Sequence, residues 1–119
     1  MVIGDENKPR VGALTISGNQ VLHNKKYCVK TARLPFVQGS GILLPVTHDV
    51  GAGNSGRSSL SGGIVPFKSF VGAVDEKNRV DESWITANVP ADLVSQNAAK
   101  GSNLFRGNLC RVSMPAGLC

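Results

Sequence analysis

Apolar positions along this chain come in short runs broken by turn residues, a pattern of strands rather than helices. Residues 11–17 read as a first strand, and Gly18-Asn19 as the turn that leads into Gln20-Val21-Leu22-His23. From Lys25 to Leu34 the side chains alternate, with Tyr27, Val29, Thr31 and Arg33 on one face; Pro35 ends the run or confines it to an edge. Residues 42–46 form a short apolar strand, interrupted at Pro45. Residues 64–74 and 80–89 flank the polar stretch 75–79 and predict a β-hairpin, in which Trp84 and Ile85 face opposite ways. The segment 104–112 supplies a last strand.

Two stretches break the pattern. Residues 90–100 predict the one helix: Pro90 suits a first turn, Asp92 and Lys100 complement the two ends of the dipole, and Gly101 suits the stop. Residues 51–63, rich in glycine and serine, predict a long flexible loop. No repeat at a fixed period is evident, and no break in composition marks a second domain. The fold class expected is mainly β: a small antiparallel β-sandwich or barrel with one short helix near residues 90–100, residues 1–119 forming a single domain.

Composition sharpens this only slightly. The 119 residues are 41% hydrophobic but 5% aromatic, so the core must be built from Val, Leu, Ile and Ala. No apolar run approaches roughly 18 residues, which predicts no membrane span. The first residues lack the basic and apolar regions of a signal peptide. A net charge of +5, concentrated in residues 1–60, helps solubility and attracts polyanions weakly.

Candidate chemistry is sparse. Gly51 to Ser58 fits G-x-G-x-x-G and, with Arg57 in place of lysine, a Walker-like spacing. Both motifs need a helix directly after the loop to hold phosphate, and Ser59-Leu60-Ser61-Gly62-Gly63 is not one, so no nucleotide site is expected. His48 and Asp49, as neighbours on a strand, would point apart. The acidic pairs Asp75-Glu76 and Asp81-Glu82 read as a charged hairpin tip. Cys28, Cys110 and Cys119 with His23 and His48 show no zinc spacing; Cys28 and Cys110 read as buried thiols and Cys119 as an accessible one, open to a bond between chains. No catalytic, cofactor-binding or metal-binding residues are therefore assigned, and no enzyme activity is expected.

Two functions remain. The first is a structural subunit of a homo-oligomeric assembly, most naturally a virion component such as a capsid, decoration or tail protein. It would contact other copies and a larger structural protein, in the virion or the cytoplasm of the producing cell. Segments 1–10 and 51–63 have too little apolar surface to offset ordering entropy of roughly 1–2 kcal/mol per residue, so subunit contacts would have to order them. The second is a small β-barrel that binds nucleic acid through the basic strand 25–33, where Lys25, Lys26, Lys30 and Arg33 meet phosphates and Tyr27 stacks on a base.

Overall fold

The computed structural model describes residues 13–25, 39–44, 48–67, 76–96 and 102–119. These residues wind into a parallel β-helix of four coils. The elements are β1 (Thr15–Ser17), β2 (Gln20–Leu22), β3 (Ile42–Leu44), β4 (Val50–Ala52), β5 (Ser55–Arg57), β6 (Ile64–Pro66), β7 (Arg79–Asp81), β8 (Trp84–Thr86), β9 (Leu93–Val94), β10 (Leu104–Arg106) and β11 (Ser113–Met114). Each lies beside its counterpart in the next coil. Sheet I has the order β1-β4-β7-β10, sheet II the order β2-β5-β8, and sheet III the order β11-β9-β6-β3. Every pairing is parallel.

This overturns the antiparallel sandwich or barrel. The hairpin of 64–74 with 80–89 does not form: β6 pairs with β3 and β9, whereas β7 pairs with β4 and β10. Residues 76–79, the described part of the expected turn, form no hairpin turn either. Lys77 and Asn78 lead into the next coil, while 68–75 lie outside the described residues. The helix near residues 90–100 is absent over its described part, where Leu93 and Val94 form β9; 97–100 lie outside. Asp92 serves no helix dipole. Its carboxylate is buried and accepts hydrogen bonds from the backbone N–H groups of Asn88, Arg111 and Val112.

The interior shows why these residues coil. The inner cluster draws Ile16, Val80 and Phe105 from sheet I, Val21 and Ile85 from sheet II with Cys110 beside them, and Ile42, Leu44, Ile64 and Leu93 from sheet III. Burying each Ile, Leu or Val contributes about 1.5–3 kcal/mol. Sheet III is covered on both faces, since Leu43, Val65 and Val94 alternate outward into a second cluster with Phe67 and Ala91. Glycines fill the inward places where bulk cannot fit. A Cβ on Gly56 would lie 3.1 Å from Ile85 Cδ1, and one on Gly63 would lie 2.6 Å from the Asp92 carbonyl oxygen.

Corners are built from a left-handed residue followed by a buried amide, acid or hydroxyl. At the corner between sheets I and II the left-handed positions are Gly18, Gly53, Glu82 and Gly107, followed by Asn19, Asn54, Ser83 and Asn108. These polar side chains stack as a ladder. Asn19 N–H donates to Asn54 Oδ1 (3.0 Å), Asn54 N–H to Ser83 Oγ (3.2 Å) and Ser83 N–H to Asn108 Oδ1 (3.0 Å). A second ladder runs from Leu14 N–H to Asp49 Oδ1 and from Asp49 N–H to Asn78 Oδ1. Each rung satisfies a backbone donor that turns away from the sheets, which a buried corner requires.

The expected flexible loop 51–63 is thus part of the solenoid. It contains β5, and its order comes from coils of the same chain: Gly53 N–H donates to the Asp81 carbonyl, Ser55 N–H to that of Asn19, and Gly62 N–H to that of Val89. Subunit contacts are not needed to hold it.

Candidate functional site: the outer face of sheet II

Sheet II presents an exposed and chemically varied outer face. Its strands alternate inward and outward, so two columns of side chains stand outside, running along the solenoid axis. The first column is Gln20, Ser55, Trp84 and Leu109; the second is Leu22, Arg57 and Thr86, with Arg111 two residues past Leu109. Register is held from below. Trp84 N–H donates to the Asn54 carbonyl (2.8 Å), Ile85 N–H to that of Leu109 (2.9 Å), and His23 N–H to that of Arg57 (2.9 Å). Arg111 is held by its backbone N–H on Asp92 Oδ2 (2.9 Å).

Inward Ile85 is fully buried, which turns Trp84 out, and its side chain is 61% exposed. Leu109, beside it, is 62% exposed. An exposed tryptophan on a rigid strand is uncommon where nothing binds it, because its large apolar surface remains in water. Around it lie two adjoining hollows. One, of about 490 Å³, is lined by Arg57, Trp84, Thr86, Leu109, Cys110 and Arg111. The other, of about 260 Å³, is lined by Gln20, Leu22, His23 and Ser55 together with Arg57, Trp84 and Thr86. Arg57, Trp84 and Thr86 belong to both, so the hollows form one trough across the coils. Its described lining carries two guanidinium groups, a histidine and several neutral hydrogen-bonding groups, with no carboxylate.

A disulfide between Cys110 and Cys119 borders this trough. It corrects the reading of Cys110 as a buried thiol and of Cys119 as a partner for another chain. The bond ties the last residues onto coil four, and Leu118 packs against the core there. Cys28 lies outside the described residues.

Other sequence candidates fare differently. Lys26, Tyr27, Lys30 and Arg33 lie outside the described residues; Lys25 is exposed just beyond His23. In 51–58, the N–H groups that would cradle a phosphate are committed within the chain, those of Gly53, Asn54 and Ser55 among them. His48 and Asp49 do diverge. His48 is exposed, whereas Asp49 is buried, and desolvation raises its carboxyl above the ordinary 3.8, against the lowering effects of the Leu14 hydrogen bond and the His48 charge. Asp81 pairs with Arg79 (2.5 Å) on the outside of sheet I, and Glu82 is exposed at a corner. Among the described residues no cluster of His, Cys, Asp and Glu is placed to hold a metal ion, and no helix is long and apolar enough to cross a membrane.

Sequence reasoning missed the trough. Trp84 was legible as one of two opposed residues, but its partners Arg57 and Arg111 lie 27 and 27 residues away on either side of 84, joined only by the coil register. Compared with protein-family models, curated proteins and solved structures, the chain finds no match.

Proposed function

We propose that this protein is a non-catalytic structural subunit whose working surface is the outer face of sheet II, a rigid platform that holds an extended ligand along the β-helix. The observation that carries this is the exposed Trp84 sharing one hollow with Arg57 and Arg111. Aromatic and arginine side chains are the groups most often dominant in binding surfaces. The backbone beneath Arg57 and Trp84 is already ordered by strand pairing, so binding there orders only the side chains.

The assembly role expected from the sequence is the setting for this surface. A solenoid is a stiff, quasi-one-dimensional element. The intrachain disulfide suits a protein that meets an oxidising environment, as an outer surface of a virion or cell does. Because Cys119 is bonded within its own chain, it is not the residue that would join copies.

Affinity electrophoresis tests the reading. Native gels containing hyaluronate or oligo-dT should retard the parent protein in at least one case, and the double variant Arg57→Ala, Arg111→Ala should run freely. Equal mobility of parent and double variant in every gel would contradict it.

A further inference from the structure

We infer that the trough on sheet II binds an acidic polysaccharide, one whose carboxylates recur at alternate sugars. This rests on the binding function proposed above and names the ligand for that surface.

The spacing of cations leads to the ligand. Arg57 pairs with Thr86 in the next coil, and Arg111, two residues past Leu109 in its bridge with Trp84, lines the same hollow one coil further on. Neighbouring coils stack about 4.8 Å apart, so the backbones of the second and fourth coils, which carry the two arginines, are roughly 10 Å apart along the axis. That is about the length of a disaccharide. A chain lying along the axis would bring one carboxylate to each guanidinium, whose planar fork accepts a carboxylate in a bidentate manner.

Between them the face matches an uncharged sugar. Thr86 lies in the column of Arg57 and offers a hydroxyl. Trp84 stands two residues back along the strand, about 7 Å to the side, and presents an indole face on which the C–H face of a pyranose can stack. Gln20 and Ser55 continue the first column as neutral donors and acceptors suited to hydroxyl groups. The result alternates charge, neutral contact, charge.

Nucleic acid fits less well. Its phosphates recur at every unit, and single-strand binders track them with a continuously positive groove. Here Arg57 has a neutral residue on either side in the second column, Thr86 on one and Leu22 on the other. The disulfide also points away from reducing compartments where most nucleic acid is handled.

The test is a titration followed by fluorescence of Trp84, the single tryptophan of the chain, with hyaluronate, neutral dextran and oligo-dT as probes. Hyaluronate should change the emission and saturate, and added salt should weaken it; dextran should leave it unchanged. Calorimetry should then show Trp84→Ala and Arg57→Ala each weakening hyaluronate binding about tenfold or more, with Arg57→Lys falling between Arg57→Ala and the parent. Circular dichroism of each variant should match the parent, since both side chains are exposed. Oligo-dT binding that depends on Trp84 and Arg57, without hyaluronate binding, would overturn the polysaccharide assignment and leave the binding face standing. Hyaluronate binding indifferent to both residues would overturn the assignment to this trough. No binding of hyaluronate or oligo-dT, with no effect of the variants in any gel, would overturn both.

Discussion

The third coil and the fourth carry the same plan with different results. In the third, Val80, Ile85 and Leu93 are fully buried and Val94 is 7% exposed. Their counterparts in the fourth are Phe105, Cys110, Ser113 and Met114. Phe105 and Cys110 are only half-buried, and Met114 is 48% exposed. Coil four pairs backward through β10, β11 and a single bridge at Leu109, and among the described residues no strand pairs with its other side. A coil of a solenoid cannot bury its interior alone. In the fourth coil Leu118 and the Cys110–Cys119 bond draw residues 110–119 against the core. The trough spans this boundary: Arg57 and Trp84 stand on the firm coils, Leu109 and Arg111 on the weaker one.

Core truncation should show the largest contrast. Ile85→Ala should cost about 3–5 kcal/mol and lower the midpoint of chemical unfolding sharply, whereas Phe105→Ala, half-buried, should cost about 2 kcal/mol. Equal losses would mean that the last coil is packed as well as the third. Next come the corner ladders. Asn54→Ala removes the acceptor for Asn19 N–H and the donor to the Ile16 carbonyl (2.9 Å), for a loss of about 2–3 kcal/mol. Asn108→Ala, at the half-buried end of the same ladder, should cost about 1 kcal/mol. Thermal denaturation of the two variants makes the comparison.

Replacing both Cys110 and Cys119 by serine should cost about 2–3 kcal/mol, the entropy of a nine-residue separation. The change should be read as faster amide exchange in 104–114, while 50–57 and 79–86 keep their protection. Loss of protection throughout would show that the disulfide supports every coil rather than the last.

The smallest effect concerns Asp49. Its carboxyl is raised by burial, and Oδ2 is buried without a hydrogen-bond partner. The folded state therefore holds the proton more tightly than the unfolded one. The penalty is absent below the ordinary value of 3.8, grows as pH rises through the interval up to the raised value, and is fully present above it. Asparagine already occupies the equivalent rung at Asn78. Asp49→Asn should raise Tm by a few degrees at pH 7 and by less at pH 3; an equal shift at both would exclude the charge as the cause.

Sequence legibility follows the range of the interactions involved. The strands β2 and β3 and the turn at Gly18-Asn19 were readable because local alternation and turn chemistry set them. The aliphatic core and the opposition of Trp84 and Ile85 were readable too. The coils were not, because their register partners Thr15, Val50, Arg79 and Leu104 are unevenly spaced, which hides a period. A subtler signal was present. Polar residues recur five apart at Asp49, Asn54 and Ser59 and again at Asn78, Ser83 and Asn88, each following a left-handed position. Gly51 and Gly56 suggested a loop because glycine disfavours strands, yet each faces inward, with Leu44 beneath Gly51 and Ile85 beneath Gly56. Pro90 and Asp92 resembled a helix start, but that resemblance does not reveal that Asp92 caps the return of coil four.

One measurement reaches the central claim, that sheet II is a single binding surface joining the weak last coil to the firm inner ones. Amide exchange should be followed at Trp84 and Leu109, which donate to the Asn54 and Ser83 carbonyls through equivalent bonds of 2.8 and 2.9 Å. In the free protein Leu109 should exchange well ahead of Trp84, because coil four opens locally. With saturating hyaluronate, Leu109 should slow toward the rate of Trp84. Equal rates in the free protein, or a Leu109 rate unchanged while hyaluronate is bound, would contradict the account.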